Sequence, residues 1–383
     1  MARYQAIPAL MLLAALAGSI PASAEPAPVP DDVPVALMVD LSNGQRLFER
    51  ESNRRFMPAS VVKVMTAYTA FRLIDEGRIS TSTLVPISEE LEQEWSGEGS
   101  SMFLRAGEVP TFGELLLGAT TVSGNDASVA LAQAAVGSVA AWTALMNENA
   151  MALGMKGTHF GSANGFPDEG RTFTTASDLA LLGEALVRDY PKLYAHYIGN
   201  RQLTWRGRTQ ANHDPVTGVV PGADGMKTGF TSEAGYTSLG SGSRDGRRLI
   251  MVLAGVPSSG EREELARAFL EWGFSGIAPQ QIAPAGYRIG AASVQNGATG
   301  EVGLELPEGL AVAVPSDSGG ILSATIRYEG PLQAPIAKGD EVATLRVIVD
   351  GLPTYDVPLG ASASVPQANA WQRLVNGVQR FLS

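Results

Sequence analysis

Apolar residues first gather in a short run. Val35 to Leu41 reads as a strand, Asn43-Gly44 as a tight hairpin turn, and Leu47 to Arg50 as the returning strand. A helical pattern follows, which Pro58 opens and which runs through Lys63, Tyr68, Phe71 and Ile74 before stopping at Gly77. Apolar residues surround its axis, which predicts burial in the middle of a domain. Residues 111–121, 125–136, 139–153 and 175–188 carry further alanine- and leucine-rich helical patterns, the last with Thr174 or Thr175 as its cap. Strands return at Met226 to Thr231, Tyr236 to Ser241 and Arg248 to Ala254, and the helix Glu261 to Trp272 closes the unit. Strands from both ends of this span must share one sheet. The expected fold is therefore α+β, an antiparallel sheet flanked by helices, over residues 35–276.

From about residue 277 the helical period vanishes, and short alternating stretches appear, such as Leu322 to Tyr328 and Glu341 to Val349. They predict a small all-β domain, a β-sandwich over 277–360. Residues 361–383 read as a linker and an amphipathic helix, with Trp371, Leu374, Val375, Val378, Phe381 and Leu382 on one stripe beside Arg373 and Arg380. Such a stripe suits an anionic membrane surface, or docking on protein. At the other end, Arg3, the apolar run Ile7 to Ile20 and Ala22-Ser23-Ala24 read as a secretory signal over 1–24, followed by a proline-rich leader over 25–34.

Composition narrows the chemistry. A net charge of −11 over 383 residues argues against nucleic acid as a partner. The absence of cysteine excludes a thiol nucleophile, a thiolate metal site and a disulfide framework. His159, His196 and His213 are too scattered for a metal cluster. Only five of the 28 basic residues are lysines: Lys63, Lys156, Lys192, Lys227 and Lys338. Arginine cannot deprotonate at ordinary pH and a buried lysine can, so each retained lysine becomes a candidate for chemistry.

Lys63 follows Ser60 by three positions on the helix opened by Pro58, which puts amine and hydroxyl on one face. Among Val61, Val62, Val64 and Met65 a permanent charge is costly, so burial favours the neutral amine that can take a proton from serine. Ser-x-x-Lys alone is expected by chance on the order of once in a chain this long. Two more motifs follow in order: Ser123-Gly124-Asn125 at a helix–helix junction and Lys227-Thr228-Gly229 on a strand. Singly they read as a capped loop and a strand end; together they carry the signal. In such a set Ser60 is the nucleophile, Lys63 the proton acceptor and Ser123 a relay to a leaving amine. Asn125 holds a substrate amide, Lys227 supplies positive charge, and Thr228 donates to a carboxylate. Gly229 admits the substrate backbone, and the amides of Ser60 and Phe230 are candidate oxyanion donors.

At this point the chain resembles a family, the low-molecular-mass penicillin-binding proteins of the serine D-alanyl-D-alanine carboxypeptidase type. Besides the three motifs, Met57 to Ala67, Thr158-His159-Phe160, Asn164-Gly165-Phe166, Thr175 to Ala180 and Asp224 to Thr231 are similar to its segments, as is Ala234-Gly235-Tyr236. The resemblance implies removal of the terminal D-alanine from peptidoglycan stem pentapeptides through an acyl-Ser60 intermediate. It further implies acylation by β-lactam antibiotics, no metal or organic cofactor, and peripheral attachment to the inner membrane from the periplasmic side through the C-terminal helix. It leaves Arg248 and Arg262 as open alternatives for the partner of the substrate carboxylate. A D,D-endopeptidase of the same family and a non-catalytic wall-binding protein are the alternative readings. A class A β-lactamase is disfavoured, since no Glu-x-x-Leu-Asn occurs between 126 and 226, and so is an α/β-hydrolase, since there is no Gly-x-Ser-x-Gly.

Overall fold

In the computed structural model, residues 4–8, 26–315 and 322–369 are described. They divide into two compact units, one comprising Pro26–Gly44 and Phe48–Phe274, the other Gln45–Leu47 and the described residues from Ser275, with the strand Tyr4–Pro8.

The first unit is built on a five-stranded sheet in the order Gln45–Arg50, Val35–Asp40, Arg247–Val256, Gly235–Arg244, Ala223–Thr231. The three ladders from Val35 to Thr231 are antiparallel, and strands from both ends of the unit meet where Val35–Asp40 pairs with Leu249–Ala254. The strand Arg247–Val256 is central, and its run Leu249 to Ala254 is wholly buried, which explains its unbroken apolar sequence.

The helix from Pro58 begins as a 3-10 turn over Ala59–Val61 and becomes α-helical over Val62–Asp75. Eleven of those 14 residues are buried, so its sides are covered all round, as the sequence pattern requires. It ends where Gly77 takes a left-handed φ of 67°. Around it pack Phe112–Thr121, Asn125–Val136, Val139–Ala152 and Ala176–Asp189, the last capped by the Thr175 hydroxyl, which accepts from the Asp178 amide. Three elements escape the sequence reading. The helix Glu89–Trp95 has one buried residue, the helix Pro191–Tyr197 is short, and the hairpin Gln202–Trp205 with Arg208–Ala211 is mostly exposed. None carries an apolar stripe long enough to reveal its period.

The second unit is all β. A seven-stranded sheet and the two-stranded pair Ile277–Ala283 with Leu310–Pro315 enclose a core that includes Val294, Leu304, Val312, Ile326, Leu345 and Leu359. The strands are thus shared unequally, where the sequence led to a sandwich. Tyr4–Pro8 lies antiparallel at the edge of the larger sheet, beside Thr325–Glu329. Residues 361–368, expected as part of a linker, are instead built into this unit. Ala361 ends a strand, Val365 bridges Ile336, Gln367 bridges Gly297, and Val365 and Ala368 are buried. Their apolar side chains belong to this unit's core. The expected signal cleavage site and the amphipathic helix over Trp371 to Ser383 lie outside the described residues. Among the described residues no single helix is long and apolar enough to cross a membrane.

Candidate active site

The site begins with a crowded turn. Ala59 has a φ of 50°, a left-handed conformation that costs a residue with a β-carbon on the order of 1 kcal/mol. Two glycines allow other segments to press against this turn. A β-carbon on Gly165 would stand 1.9 Å from the Ala59 carbonyl oxygen, and one on Gly229 would stand 2.6 Å from the Pro58 oxygen and 3.1 Å from the Ser60 amide nitrogen. No larger residue fits at either place. The close approach of Gly229 sets the strand Ala223–Thr231 alongside the Ser60 amide.

One turn further along, Lys63 is fully buried. Its Nζ lies 2.9 Å from Ser60 Oγ, 2.8 Å from Asn125 Oδ1 and 2.7 Å from the Asn164 carbonyl oxygen. Burial holds its pKa well below the usual lysine range, the Lys227 charge lowers it further, and Asp126 opposes. The three contacts decide what a neutral amine does here. Its two hydrogens go to the oxygens of Asn125 and Asn164, neither of which can donate one. The lone pair is then left facing the Ser60 hydroxyl.

Ser123 stands between the helices Phe112–Thr121 and Asn125–Val136, and Asn125 opens the second. Ser123 has a φ of 60°, a second left-handed non-glycine residue in the site. Its Oγ is buried and makes no hydrogen bond to the described residues. Asn125 Nδ2 donates to the Glu98 carbonyl at 3.0 Å, which leaves its second hydrogen for a ligand. Asp126 anchors the loop that faces them: its carboxylate accepts from the Ser101 hydroxyl at 2.7 Å and from the amides of Met102, Leu104 and Ala127 at 2.9, 3.0 and 2.8 Å.

On the opposite wall Lys227 is buried, and its Nζ donates to the Thr228 carbonyl at 2.9 Å. Burial first, then Arg262, lowers its pKa to about 7, against the pull of Asp214. Of the five lysines in the chain, Lys63 and Lys227 are buried, while Lys156, Lys192 and Lys338 are exposed.

Ser60, Ser123, Asn125, Lys227, Thr228, Gly229 and Phe230 all line one cleft of about 530 Å³, and Lys63 joins it through Ser60 and Asn125. All eight residues picked from sequence are therefore brought together. The structure also separates the two arginines. Arg248 is engaged away from this cleft, with Nη atoms 2.7 and 3.1 Å from the Asp224 carboxylate and 2.8 Å from Ser241 Oγ. Arg262 lines the cleft, is 5% exposed, lies over the Tyr236 ring, and has a buried Nε with no partner among the described residues. Burial lowers its pKa, with Glu263 opposing. Sequence reasoning missed the Asn164 carbonyl altogether, because a backbone oxygen leaves no residue-type signature.

A sequence profile described as D-alanyl-D-alanine carboxypeptidase (peptidase S11) matches residues 25–258. The chain belongs to that family. A second profile, the C-terminal domain of penicillin-binding protein 5, matches residues 278–367. The D-alanyl-D-alanine carboxypeptidase DacD of Salmonella typhimurium is 32% identical, with 91% of this chain and 90% of the relative covered. Among solved structures, penicillin binding protein 5 of Haemophilus influenzae superposes with a TM-score of 0.73 at 28% identity, covering 91% of this chain and 100% of that one. Penicillin-binding protein D2 of Listeria monocytogenes, in an ampicillin-bound form, has a TM-score of 0.57 at 26% identity over 64% of this chain and 98% of its own. The family and the fold class read from sequence, an α+β domain followed by an all-β domain, are borne out.

Proposed function

We propose that this chain removes the terminal D-alanine from peptidoglycan stem pentapeptides by acyl transfer to Ser60 and then to water. The observation that carries this reading is the pair of acceptors on Lys63, Asn125 Oδ1 at 2.8 Å and Asn164 O at 2.7 Å, which turn a neutral amine's lone pair to the nucleophile. Ser60 Oγ attacks the carbonyl of the bond between the two D-alanines while its proton passes to Lys63. The amides of Ser60 and Phe230 take the developing oxyanion, and one such donor lowers a barrier by about 3–4 kcal/mol. Ser123 relays the proton from Lys63 to the departing amine, the C–N bond breaks, and D-alanine leaves. Water then attacks the acyl-Ser60 ester, returning the hydroxyl and releasing the shortened peptide.

Lys227, Thr228 and Arg262 receive the substrate's terminal carboxylate. The orphaned Nε and deep burial of Arg262 favour it over Arg248, whose guanidinium is already occupied by Asp224. A β-lactam enters by the same chemistry, its ring amide opening onto Ser60, in keeping with the ampicillin-bound relative. The exported, periplasmic location and membrane attachment through residues 371–383 are read from the sequence of the two ends, beside bacterial relatives named D-alanyl-D-alanine carboxypeptidases.

The test is release of D-alanine from an acetylated tripeptide ending in D-Ala-D-Ala, set against cleavage of cross-linked stem dimers. Wild type is expected to favour the tripeptide and Ser60→Ala to cleave neither. Preferential cleavage of the dimers would make the chain an endopeptidase, and no cleavage of either would leave the wall-binding alternative.

A further inference from the structure

The chemistry above uses the backbone amide of Phe230 and leaves its ring without a task. Among the described large apolar side chains that stand exposed, Phe230 alone lines the cleft, and it is 52% exposed there. The ring is nevertheless held in place. It stacks on Tyr236, its cross-strand partner, at 4.2 Å between centroids and 26° between planes. The turn that joins the two strands is closed by the Ala234 amide, which donates to Thr231 Oγ at 3.0 Å. Tyr236 is in turn covered by the Arg262 guanidinium, 5.6 Å from its centroid. The period of the strand decides which way the Phe230 ring faces. Lys227 and Gly229 point to one side, where Gly229 lies against the turn Pro58–Ser60. Thr228 and Phe230 point to the other, beside Tyr236, Ser259 and Arg262, which also line the cleft.

We propose that Phe230 and Tyr236 form an apolar shelf for the side chain of the departing D-amino acid, so that this chain also releases aliphatic D-residues bulkier than alanine. This rests on the proposed function, which seats the carboxylate of the leaving residue at Thr228 and Arg262. The acyl half runs the other way, past Asn125, where glycine at 99 keeps open a space that a β-carbon would enter at 3.0 Å from Asn125 Nδ2. Thr228 and Phe230 are two residues apart, roughly 7 Å along the strand. The methyl group of D-alanine leaves most of that distance to water, and an isobutyl group reaches the exposed ring. Contact there removes apolar surface from water on both partners. A carboxamide of the same shape gives up its water and finds no hydrogen-bond partner on a ring face.

The experiment measures kcat/KM of the full chain for release of the last residue from three peptides, diacetyl-L-lysyl-D-alanyl-Y, with Y D-alanine, D-leucine or D-asparagine. Wild type is expected to release D-leucine at least as fast as D-alanine, and D-asparagine about tenfold or more slowly than D-leucine. Phe230→Ser should lower the leucine-to-alanine ratio at least about threefold. The ratio is the readout because a general defect slows all three peptides together and leaves it unchanged. Labelling by penicillin establishes that the variant is folded, and if Phe230→Ser does not label, Tyr236→Ser takes its place under the same threshold. Slower release of D-leucine than of D-alanine, a smaller gap between D-leucine and D-asparagine, or a smaller change in the ratio would each overturn the shelf. Failure of the underlying function looks different, namely no amino acid released from any of the three peptides by wild type, and the shelf would fall with it.

Discussion

The two units of this chain bury different things. In the first, Lys63, Lys227, Arg262, Asp126, Asn125 and Asn164 are all withdrawn from water. In the second, among the described residues, no charged side chain is buried, the buried Gln45 amide is satisfied by the Ala313 backbone, and the core around it is mainly aliphatic. A buried charge costs several kcal/mol unless other groups compensate it. Natural packing does not require that cost, as the second unit demonstrates. Where one chain carries it repeatedly, within a single cleft, the buried groups have a task other than stability.

That contrast can be broken most sharply at Lys63. Lys63→Ala should lower the rate of Ser60 acylation by penicillin by about 10³-fold or more, since general-base catalysis alone is worth 10²–10⁴. Stopped-flow acylation checks this, and a loss below tenfold would mean the amine is structural. Next in size is Arg262→Gln. Here kcat/KM for a peptide with a free C-terminal carboxylate should fall about 30-fold, a charge-assisted pair being worth ~2 kcal/mol. The same peptide as its C-terminal amide should lose much less. Equal losses on both would place the carboxylate elsewhere.

The pH profile gives a smaller effect with a definite sign. The neutral amine is the active form of Lys63, so acylation should rise as pH climbs through a pKa held well below the usual lysine range. Lys227 loses its charge as pH passes about 7, so KM for the carboxylate-bearing peptide should rise above that point. Removing that charge with Lys227→Gln relieves one of the causes that depress Lys63, and the acidic limb should move to higher pH. Burial, the larger cause, would remain. A limb that stays put or moves down would refute the coupling.

The smallest effect on chemistry is expected in the other unit. Leu345 is fully buried in its core, and Leu345→Ala should cost about 2–5 kcal/mol of that unit's stability. Acylation of Ser60 should nevertheless change less than twofold, as melting curves and labelling on the same sample would establish.

The legibility of the sequence follows the same division. The buried helix at Val62–Asp75 and the strand Arg247–Val256 were readable because burial on every side writes itself as an apolar run. Ser60, Lys63, Ser123, Asn125 and Lys227 to Phe230 were readable as side chains at telling spacings. What escaped acts through backbone or shape. The Asn164 carbonyl is bonded by Lys63, the open space at Gly99 is set by what is missing, and the helix Glu89–Trp95 hides its one buried residue among glutamates. Arg262 was visible only as one of two candidates, since its place depends on how the helix Ser259–Ser275 meets the sheet.

The central claim is that Ser60, activated by Lys63, forms an acyl-enzyme. Intact-mass measurement after brief exposure to penicillin tests it most directly. The account predicts a single adduct of the whole antibiotic on wild type, mapped to the peptide that contains Ser60 and absent from Ser60→Ala. An unchanged wild-type mass, or an adduct that persists in Ser60→Ala, would contradict it.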